Sequence, residues 1–507
     1  MALWGPGGVG KSTLAAEFVR ATWGPSPARV AWVGALGRPE FGLATLLDEV
    51  ATQLGREDLR KLAPEAKAVQ VAALVSGTPT LVVLDNFETI AGAEQARCLD
   101  FLARQVVCPA LITTRSRANH EDVYNVPLAA MTLGEAHDLI RRLVGQTRRP
   151  SNFDRLDRDD LIRRCEANPL VLHWVVRQID LAQRPQDVLD DLARGEGDAA
   201  ERVFTRSFNL PQLGDDGRAA LLALSLFTPD ASREALAEVA GFGDDVRRLD
   251  GAVGSLSSLW LVEATEGNER LFLRGLTREL AKSRLLEGAF AEECGQSYVA
   301  HFLGYAGAHG GTTAEDLDAL DAERSNLLGA LDVAFKMQDW QGVVSLSHAL
   351  DSFLNLRGYW DEGVECAKKA EAAARALGDE DRAAFFKAYA AMIRVHRGEY
   401  EEARKTYQAT LEMVRRLGNE RAVAACLHQL GGIALAQDRF EEARPLYRAC
   451  LEIHNRLGDL RSIAVTQHEL GRLEQNLGNL EEARRLYQES LESHRRRGDF
   501  ENVSSTL

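Results

Sequence analysis

Apolar residues are distributed in two ways along the chain. In the first 130 residues they gather into short blocks at 30–33, 81–84, 110–113 and 124–128, separated by stretches of helical character. Short buried strands alternating with helices predict an α/β fold with a parallel sheet. Ligands of such sheets bind at the carboxyl ends of the strands. Asp85, Glu88 and Arg115 all fall at those ends. Beyond that region helical periodicity dominates, with predicted helices at 218–227, 232–240 and 246–259. An apolar hairpin follows them, with Glu266, Gly267 and Asn268 at its turn.

The last third of the chain repeats itself. Glu-Glu-Ala-Arg stands at 401–404, 441–444 and 481–484, a period of 40. Tyr407, Tyr447 and Tyr487 keep that register, as do Leu411, Leu451 and Leu491. Gly418, Gly458 and Gly498 close the units; Trp360 and Gly378 belong to an earlier one. Each unit reads as two amphipathic helices, the second ending at a glycine that accepts the left-handed conformation of a helix terminus. Ala403, Ala443 and Ala483 are small where two helices cross closely, and Leu430-Gly431 and Leu470-Gly471 mark the matching point on the first helices. A bulky side chain at the alanine positions costs about 1–3 kcal/mol by overpacking. The pattern over about 340–507 resembles the tetratricopeptide repeat family in a longer variant. The resemblance implies a superhelix whose concave face is lined by the first helices. It places Phe385, Met392, His396, His428, His468, Arg472 and Gln475 toward a groove that captures a peptide or protein. The alternative is a solvated inner face without a ligand.

The N-terminal chemistry begins with Gly5-Pro6-Gly7-Gly8-Val9-Gly10-Lys11-Ser12, which fits the phosphate-binding loop G-x-x-x-x-G-K-[ST]. Its glycines let backbone N–H groups turn inward around phosphates. Lys11 supplies positive charge to the β and γ phosphates, and the Ser12 hydroxyl coordinates Mg²⁺. A helix over 13–20, starting with Thr13, adds its dipole to phosphate binding. The expected cofactors are ATP or ADP with Mg²⁺. Asp85 is the second expected Mg²⁺ partner, through water; otherwise it is a helix or turn cap after the strand. Glu88 could orient or deprotonate an attacking water, or be a surface carboxylate. Arg115 could sense the γ-phosphate, or be an ordinary strand-end arginine. Arg117 is a weaker candidate for the same task.

Four features stand in order: the phosphate loop, Leu-Val-Val-Leu-Asp-Asn-Phe-Glu at 81–88, Leu-Ile-Thr-Thr-Arg at 111–115, and Asn168-Pro169-Leu170. Together they resemble the NB-ARC branch of the STAND NTPases, signal-transduction ATPases with numerous domains. The resemblance implies a P-loop domain over 1–130, a helical domain over 131–200, a winged-helix domain over 201–290, a helical linker over 291–340 and repeats over 341–507. Pro169 would lie near the adenine, although Ala167-Asn168-Pro169 replaces the usual Gly-Leu-Pro. Arg274 stands where many members carry a phosphate-contacting histidine. The third helix of the winged-helix segment offers Ser255, Ser257 and Ser258 and little basic charge, so DNA reading is not expected of it. The family further implies an ADP-closed, ATP-open switch that self-associates in the ATP state and is biased by what the repeats bind. Asn86 stands where many P-loop ATPases carry a second carboxylate, so slow hydrolysis is expected.

Composition narrows the setting. The formal net charge of -15 over 507 residues argues against general nucleic-acid binding. No apolar run reaches the length of a membrane span and no signal peptide is apparent. The seven cysteines are scattered without Cys-x-x-Cys spacing, which points away from zinc and disulfides and toward a reducing cytoplasm. Only three residues separate Met1 from Gly5, and 501–507 reads as the start of another repeat; a fragment lacking an upstream effector is expected. Two further readings stand beside the switch: a transcriptional regulator whose DNA-binding domain lies elsewhere, and a repeat scaffold with a vestigial P-loop.

Overall fold

Five short strands build the first layer: β1 (Ala2–Trp4), β2 (Val30–Gly34), β3 (Leu81–Asp85), β4 (Ala110–Thr114) and β5 (Asn125–Pro127). They pair in parallel in the order β2-β3-β4-β1-β5. The computed structural model describes residues 1–23, 30–36, 38, 41–77, 79–154, 156–182, 184–194, 197–265, 267–287 and 290–497. Four of the strands match the apolar blocks; β1, which leads into the phosphate loop, is the addition. Leu81 to Leu84 are all buried, which is why β3 reads as an unbroken apolar run rather than an alternating one. β4 lies between β1 and β3, so its end separates the phosphate loop from Asp85. The helices α1 (Lys11–Trp23), α2 (Leu43–Gln53), α3 (Pro64–Gly77) and α4 (Gly92–Asp100) accompany this sheet. Ala15 of α1 packs in one cluster with Leu3, Leu81, Val83 and Leu111.

Five helices follow: α5 (Leu133–Val144), α6 (Arg158–Arg164), α7 (Pro169–Leu181), α8 (Pro185–Arg194) and α9 (Ala199–Asn209). A capping box between Thr132 and Glu135 starts α5. Asn168 caps α7 with Pro169 at its first position, where the missing N–H costs nothing. Next come α10 (Gly214–Leu224), β6 (Ala231–Ser232), α11 (Arg233–Val239), α12 (Val246–Ser258), β7 (Glu263–Ala264) and β8 (Arg270–Phe272). The three strands form an antiparallel sheet in the order β6-β8-β7. The hairpin is where the sequence put it; Glu266 of its turn lies outside the described residues.

The segment α13 (Gly275–Glu287), α14 (Phe290–Ala308), α15 (Ala314–Ala322) and α16 (Arg324–Lys336) is tied to that sheet by a buried polar network. Asn326 is 1% exposed. Its Oδ1 accepts from Thr228 N at 2.7 Å, and its Nδ2 donates to Asp230 O at 3.0 Å and to Glu323 Oε2 at 2.7 Å. Arg270 of β8 pairs with both Asp230 and Glu323, at 2.5 and 2.7 Å. Every polar arm of the amide is thereby used, which is what makes its burial tolerable.

The chain divides into two compact units: Met1–Arg60 with Pro64–Met337, and Lys61–Ala63 with Gln338–Leu507. The second consists of α17 (Trp340–Arg357), α18 (Trp360–Ala376), α19 (Glu380–His396), α20 (Tyr400–Leu417), α21 (Glu420–Ala436), α22 (Phe440–Leu457), α23 (Leu460–Asn476) and α24 (Leu480–Arg497). The helices keep the 40-residue register. Ala403, Ala443 and Ala483 are 0%, 0% and 3% exposed, as their small size predicts. Gly418 and Gly458 end α20 and α22 with φ of 70° and 67°; Gly498 and 501–507 lie outside the described residues. Of the predicted groove residues, Phe385 is 47% exposed and lines a cavity of about 400 Å³ with Val344, His348, Asp381 and Arg382. His428 and His468 turn their rings onto Tyr447 and Tyr487, at centroid distances of 5.4 and 5.3 Å. His396 stacks toward Trp360, Met392 is half-buried, Arg472 pairs with Glu469, and Gln475 accepts from Tyr487.

Candidate nucleotide-binding site

The phosphate loop leaves β1 and enters α1. Gly5 N donates to Thr114 O at 3.2 Å, and a Cβ at Gly5 would stand 2.2 Å from the carbonyl oxygen of Leu128. Gly8 has φ of 75°, and a Cβ there would meet Asn168 Oδ1 at 2.9 Å. Both positions therefore exclude a side chain, one by close backbone approach and the other by conformation as well. Lys11 Nζ donates to the carbonyls of Gly5 and Pro6, at 2.8 and 2.9 Å. Burial lowers the Lys11 pKa, and Arg115 adds to that, while Glu88, Asp85 and Glu279 oppose it.

Asp85 ends β3 among three donors. Ser12 Oγ donates to its Oδ1 at 2.6 Å, Thr113 Oγ1 donates to the same oxygen, and Asn86 Nδ2 donates to Oδ2 at 3.1 Å. Thr113 Oγ1 also accepts from Asn86 N at 3.1 Å. That bond holds Asn86 in the left-handed region, φ 60° and ψ 43°, where the chain turns away from the strand. One threonine on β4 thus fixes both the carboxylate and the turn beyond it.

Glu88 and Arg115 meet beside this group. Arg115 Nε lies 3.1 Å from Glu88 Oε1. Glu88 Oε2 is buried without a hydrogen-bond partner. Nη2 of the same guanidinium reaches Glu279 on α13, at 2.5 Å. Burial works against the Arg115 charge, but the hydrogen bonds and charges of Glu279 and Glu88 outweigh it and raise its pKa. On the far side of the loop Asn168 Nδ2 donates to Gly7 O at 2.8 Å, while its Oδ1 accepts from Leu170 N and Val171 N. Half-buried Pro169 follows. The turn before it carries two non-glycine residues with positive φ, Glu166 at 54° and Ala167 at 48°.

The first turn of α13 rests on the loop. Leu276 stands 3.5 Å from where a Gly7 Cβ would be, and Gly275 faces Asn86. Residues 5–12, Asp85, Glu88, Arg115 and the head of α7 thus gather at one place. Arg117 is exposed outside this cluster, and Arg274 is paired with Glu263 of β7. Sequence reasoning passed over Thr113, the Asn168 side chain, Leu276 and Glu279. Thr113 and Asn168 lie inside quoted motifs; Leu276 and Glu279 do not.

A glycine-rich loop between strand and helix, with an aspartate at the end of a strand two places along a parallel sheet, defines a P-loop NTPase. The family model described as the NB-ARC domain matches residues 1–149, and the tetratricopeptide repeat model matches 385–456 and 423–496. The chain carries an NB-ARC domain followed by tetratricopeptide repeats, as the sequence motifs led us to expect. No curated protein matches it significantly. Among solved structures it is similar to a signal transduction ATPase with numerous domains bearing a tetratricopeptide repeat sensor, from Pyrococcus horikoshii, at 16% identity and a TM-score of 0.44 over 100% of this chain and 82% of that one. It is also similar to aspartyl phosphate phosphatase F from Bacillus subtilis, at 12% identity and a TM-score of 0.34 over 75% and 79%. At these scores neither likeness adds to the family assignment. No helix among the described residues is long and apolar enough to cross a membrane.

Proposed function

We propose that the chain is a nucleotide-dependent signalling switch that binds ATP or ADP with Mg²⁺ at the P-loop, and whose repeats bind a protein or peptide that biases its state. The observation that carries this reading is the seating of α13 on the loop, with Leu276 against Gly7 and Glu279 on Arg115. A helix from one module resting on the phosphate loop of another makes the fit between them depend on what the loop holds. A ligand biases such a switch only by its differential affinity for the two states.

The residues take these roles in the proposal. Backbone N–H groups of 5–12 surround the phosphates. Lys11 exchanges its two carbonyl partners for β- and γ-phosphate oxygens. Ser12 and Asp85 would hold Mg²⁺, an oxygen pair whose chemistry suits a hard cation. The 2.6 Å contact of those two side chains supports it. Bound Mg²⁺ supplies positive charge to the phosphates. Glu88, with one buried unpartnered oxygen, orients or deprotonates water, Arg115 senses the terminal phosphate, and Pro169 lies by the adenine. Turnover is slow because Asn86 offers no second carboxylate. The modules follow the boundaries read from the sequence, with helix, strand, helix, helix and hairpin over 201–290 supporting a winged helix, and the ATP form self-associates.

Lys11→Ala tests the site. It removes two charge-assisted contacts, so nucleotide affinity should fall by about a hundredfold or more, with helicity of the repeats unchanged by circular dichroism. Unchanged affinity would sink the site assignment. A turnover number typical of metabolic enzymes in the free protein would overturn slow hydrolysis.

A further inference from the structure

We propose that Glu279 is a specificity-determining residue that makes the closed site prefer a nucleoside diphosphate over a triphosphate, by occupying the guanidinium that a terminal phosphate would otherwise take. The inference rests on the nucleotide-switch reading above.

Arg115 follows the carboxyl end of β4 with two of its nitrogens engaged, Nε by Glu88 and Nη2 by Glu279. An arginine recognises phosphate through its planar fork of N–H donors. Glu88 on Nε and Glu279 on Nη2 occupy the side-on pair of donors, so a phosphate takes that bidentate pair only by displacing a carboxylate. Glu88 belongs to the same module as Arg115, four residues past the buried run of β3. Glu279 is the separable partner, because it comes from α13.

The face that carries Glu279 is the face that meets the loop. Glu279 lies four residues from Gly275 and three from Leu276 on one helix, hence on the side that those two share. Gly275 faces Asn86, Leu276 covers Gly7, and Glu279 reaches Arg115. The same helix is also held elsewhere, where Arg278 donates to Pro229 O and Arg284 to Thr205. Displacing Glu279 therefore strains the fit of α13 and the sheet β6-β8-β7 against the P-loop together. The charge of Glu279 is also felt at Lys11. A terminal phosphate arriving between Lys11 and Arg115 adds negative charge beside the Glu279 carboxylate and competes for its partner. A diphosphate brings neither effect. By linkage, whatever the triphosphate loses by competing with Glu279, the α13 seat loses when triphosphate binds.

The test uses the full chain with Mg²⁺, titrated with ADP and with a non-hydrolysable ATP analogue. Glu279→Gln should raise affinity for the ATP analogue about three- to tenfold, the lower range of allosteric couplings, and leave ADP within about twofold. In an Arg115→Ala background the same substitution should have no such effect, since the contested group is gone. A Glu279→Gln protein that shifts both nucleotides equally, or neither, overturns the inference while leaving the switch reading intact. A shift that persists without Arg115 overturns it as well. A wild-type chain that binds neither nucleotide overturns the switch reading and this inference with it. Should Glu279→Gln fail to fold by thermal melting, Glu279→Asp is read instead; it shortens the reach and should shift the ratio in the same direction by less, and an unchanged ratio overturns the inference.

Discussion

His173 lies four residues beyond Pro169 on α7, with its ring on Trp260 at a centroid distance of 4.5 Å. Arg177 sits over the same indole. Burial pushes the His173 pKa down to about 4, and Arg274 and Arg177 push in the same direction. The unfolded chain binds this proton from about pH 6.5 downward, and the folded chain only near pH 4. Between those values the unfolded state holds more protons, so stability falls as pH falls. The full shift acting between pH 7 and 5 is worth about 2 kcal/mol; for a half-buried ring we expect about 1 kcal/mol. His173→Gln should therefore lose less stability than the wild type between pH 7 and 5, read by denaturant melts, and equal losses would refute the assignment. The site residues differ in how legible they were. Lys11, Ser12 and Asp85 announce themselves because a loop wrapped around phosphates needs contiguous residues in a set order. Thr113 was visible as a strand residue only, since nothing in Leu-Ile-Thr-Thr-Arg says which hydroxyl faces the neighbouring strand. Glu279 was not legible at all. Its partner is 164 residues away, and packing alone selects it.

At the scale of elements the repeats were the most legible part, because each helix must present the same residue to the same neighbour every 40 positions. The structure adds why Gly431 and Gly471 are glycines. A Cβ at Gly431 would stand 3.0 Å from the Tyr447 ring, and one at Gly471 would stand 2.7 Å from the Tyr487 ring. Distance alone ranks Gly471 as the more sensitive. Burial reverses the order. Tyr447 is 1% exposed, packed among Ala434, Leu470 and Leu473, and has nowhere to go. Tyr487 is half-buried, bonded through its hydroxyl to Gln475, and can yield. Alanine gains about 1 kcal/mol of helix propensity over glycine at either site, and overpacking costs about 1–3 kcal/mol where the neighbour is fixed. Gly431→Ala should therefore lower the melting temperature of the repeats, whereas Gly471→Ala should be neutral or mildly stabilising. The reverse ranking would show that contact distance outweighs burial here. The α/β region was legible for a different reason: strands buried on both faces stand out as apolar blocks. β1 escaped because a three-residue strand has no periodicity to read.

At the scale of the first unit, ionic and polar contacts join distant segments alongside the apolar core, and sequence patterns carry none of them. Asn326 joins α16 to the sheet β6-β8-β7, and the triad of Arg38, Glu49 and Arg324 joins α16 to the P-loop module. Glu49 on α2 accepts from Arg38 at 2.8 Å and from Arg324, the first residue of α16. All three side chains are less than a fifth exposed. Burial pushes the Glu49 pKa up, but the two guanidinium groups outweigh it and hold the value below its usual level. A depressed carboxylate contributes stability above its unfolded pKa and loses it as pH falls through the folded value. The contribution is therefore complete at neutral pH, where the test belongs. Glu49→Gln keeps the shape and removes the charge, leaving two partly desolvated cations facing a neutral amide. A fully buried pair broken this way costs about 3–5 kcal/mol; with this exposure we expect about 1–3 kcal/mol. The loss should be local to the joint, with faster amide hydrogen exchange in both α2 and the start of α16 and unchanged exchange in β3 and β4. Arg324→Ala should give the same pattern. The double variant should cost less than the sum of the two, because the second change removes a cation that the first left unpaired. Strictly additive losses, or exchange that rises in α2 alone, would mean that Glu49 serves Arg38 and the P-loop module only, and that α16 is held by Asn326 without it.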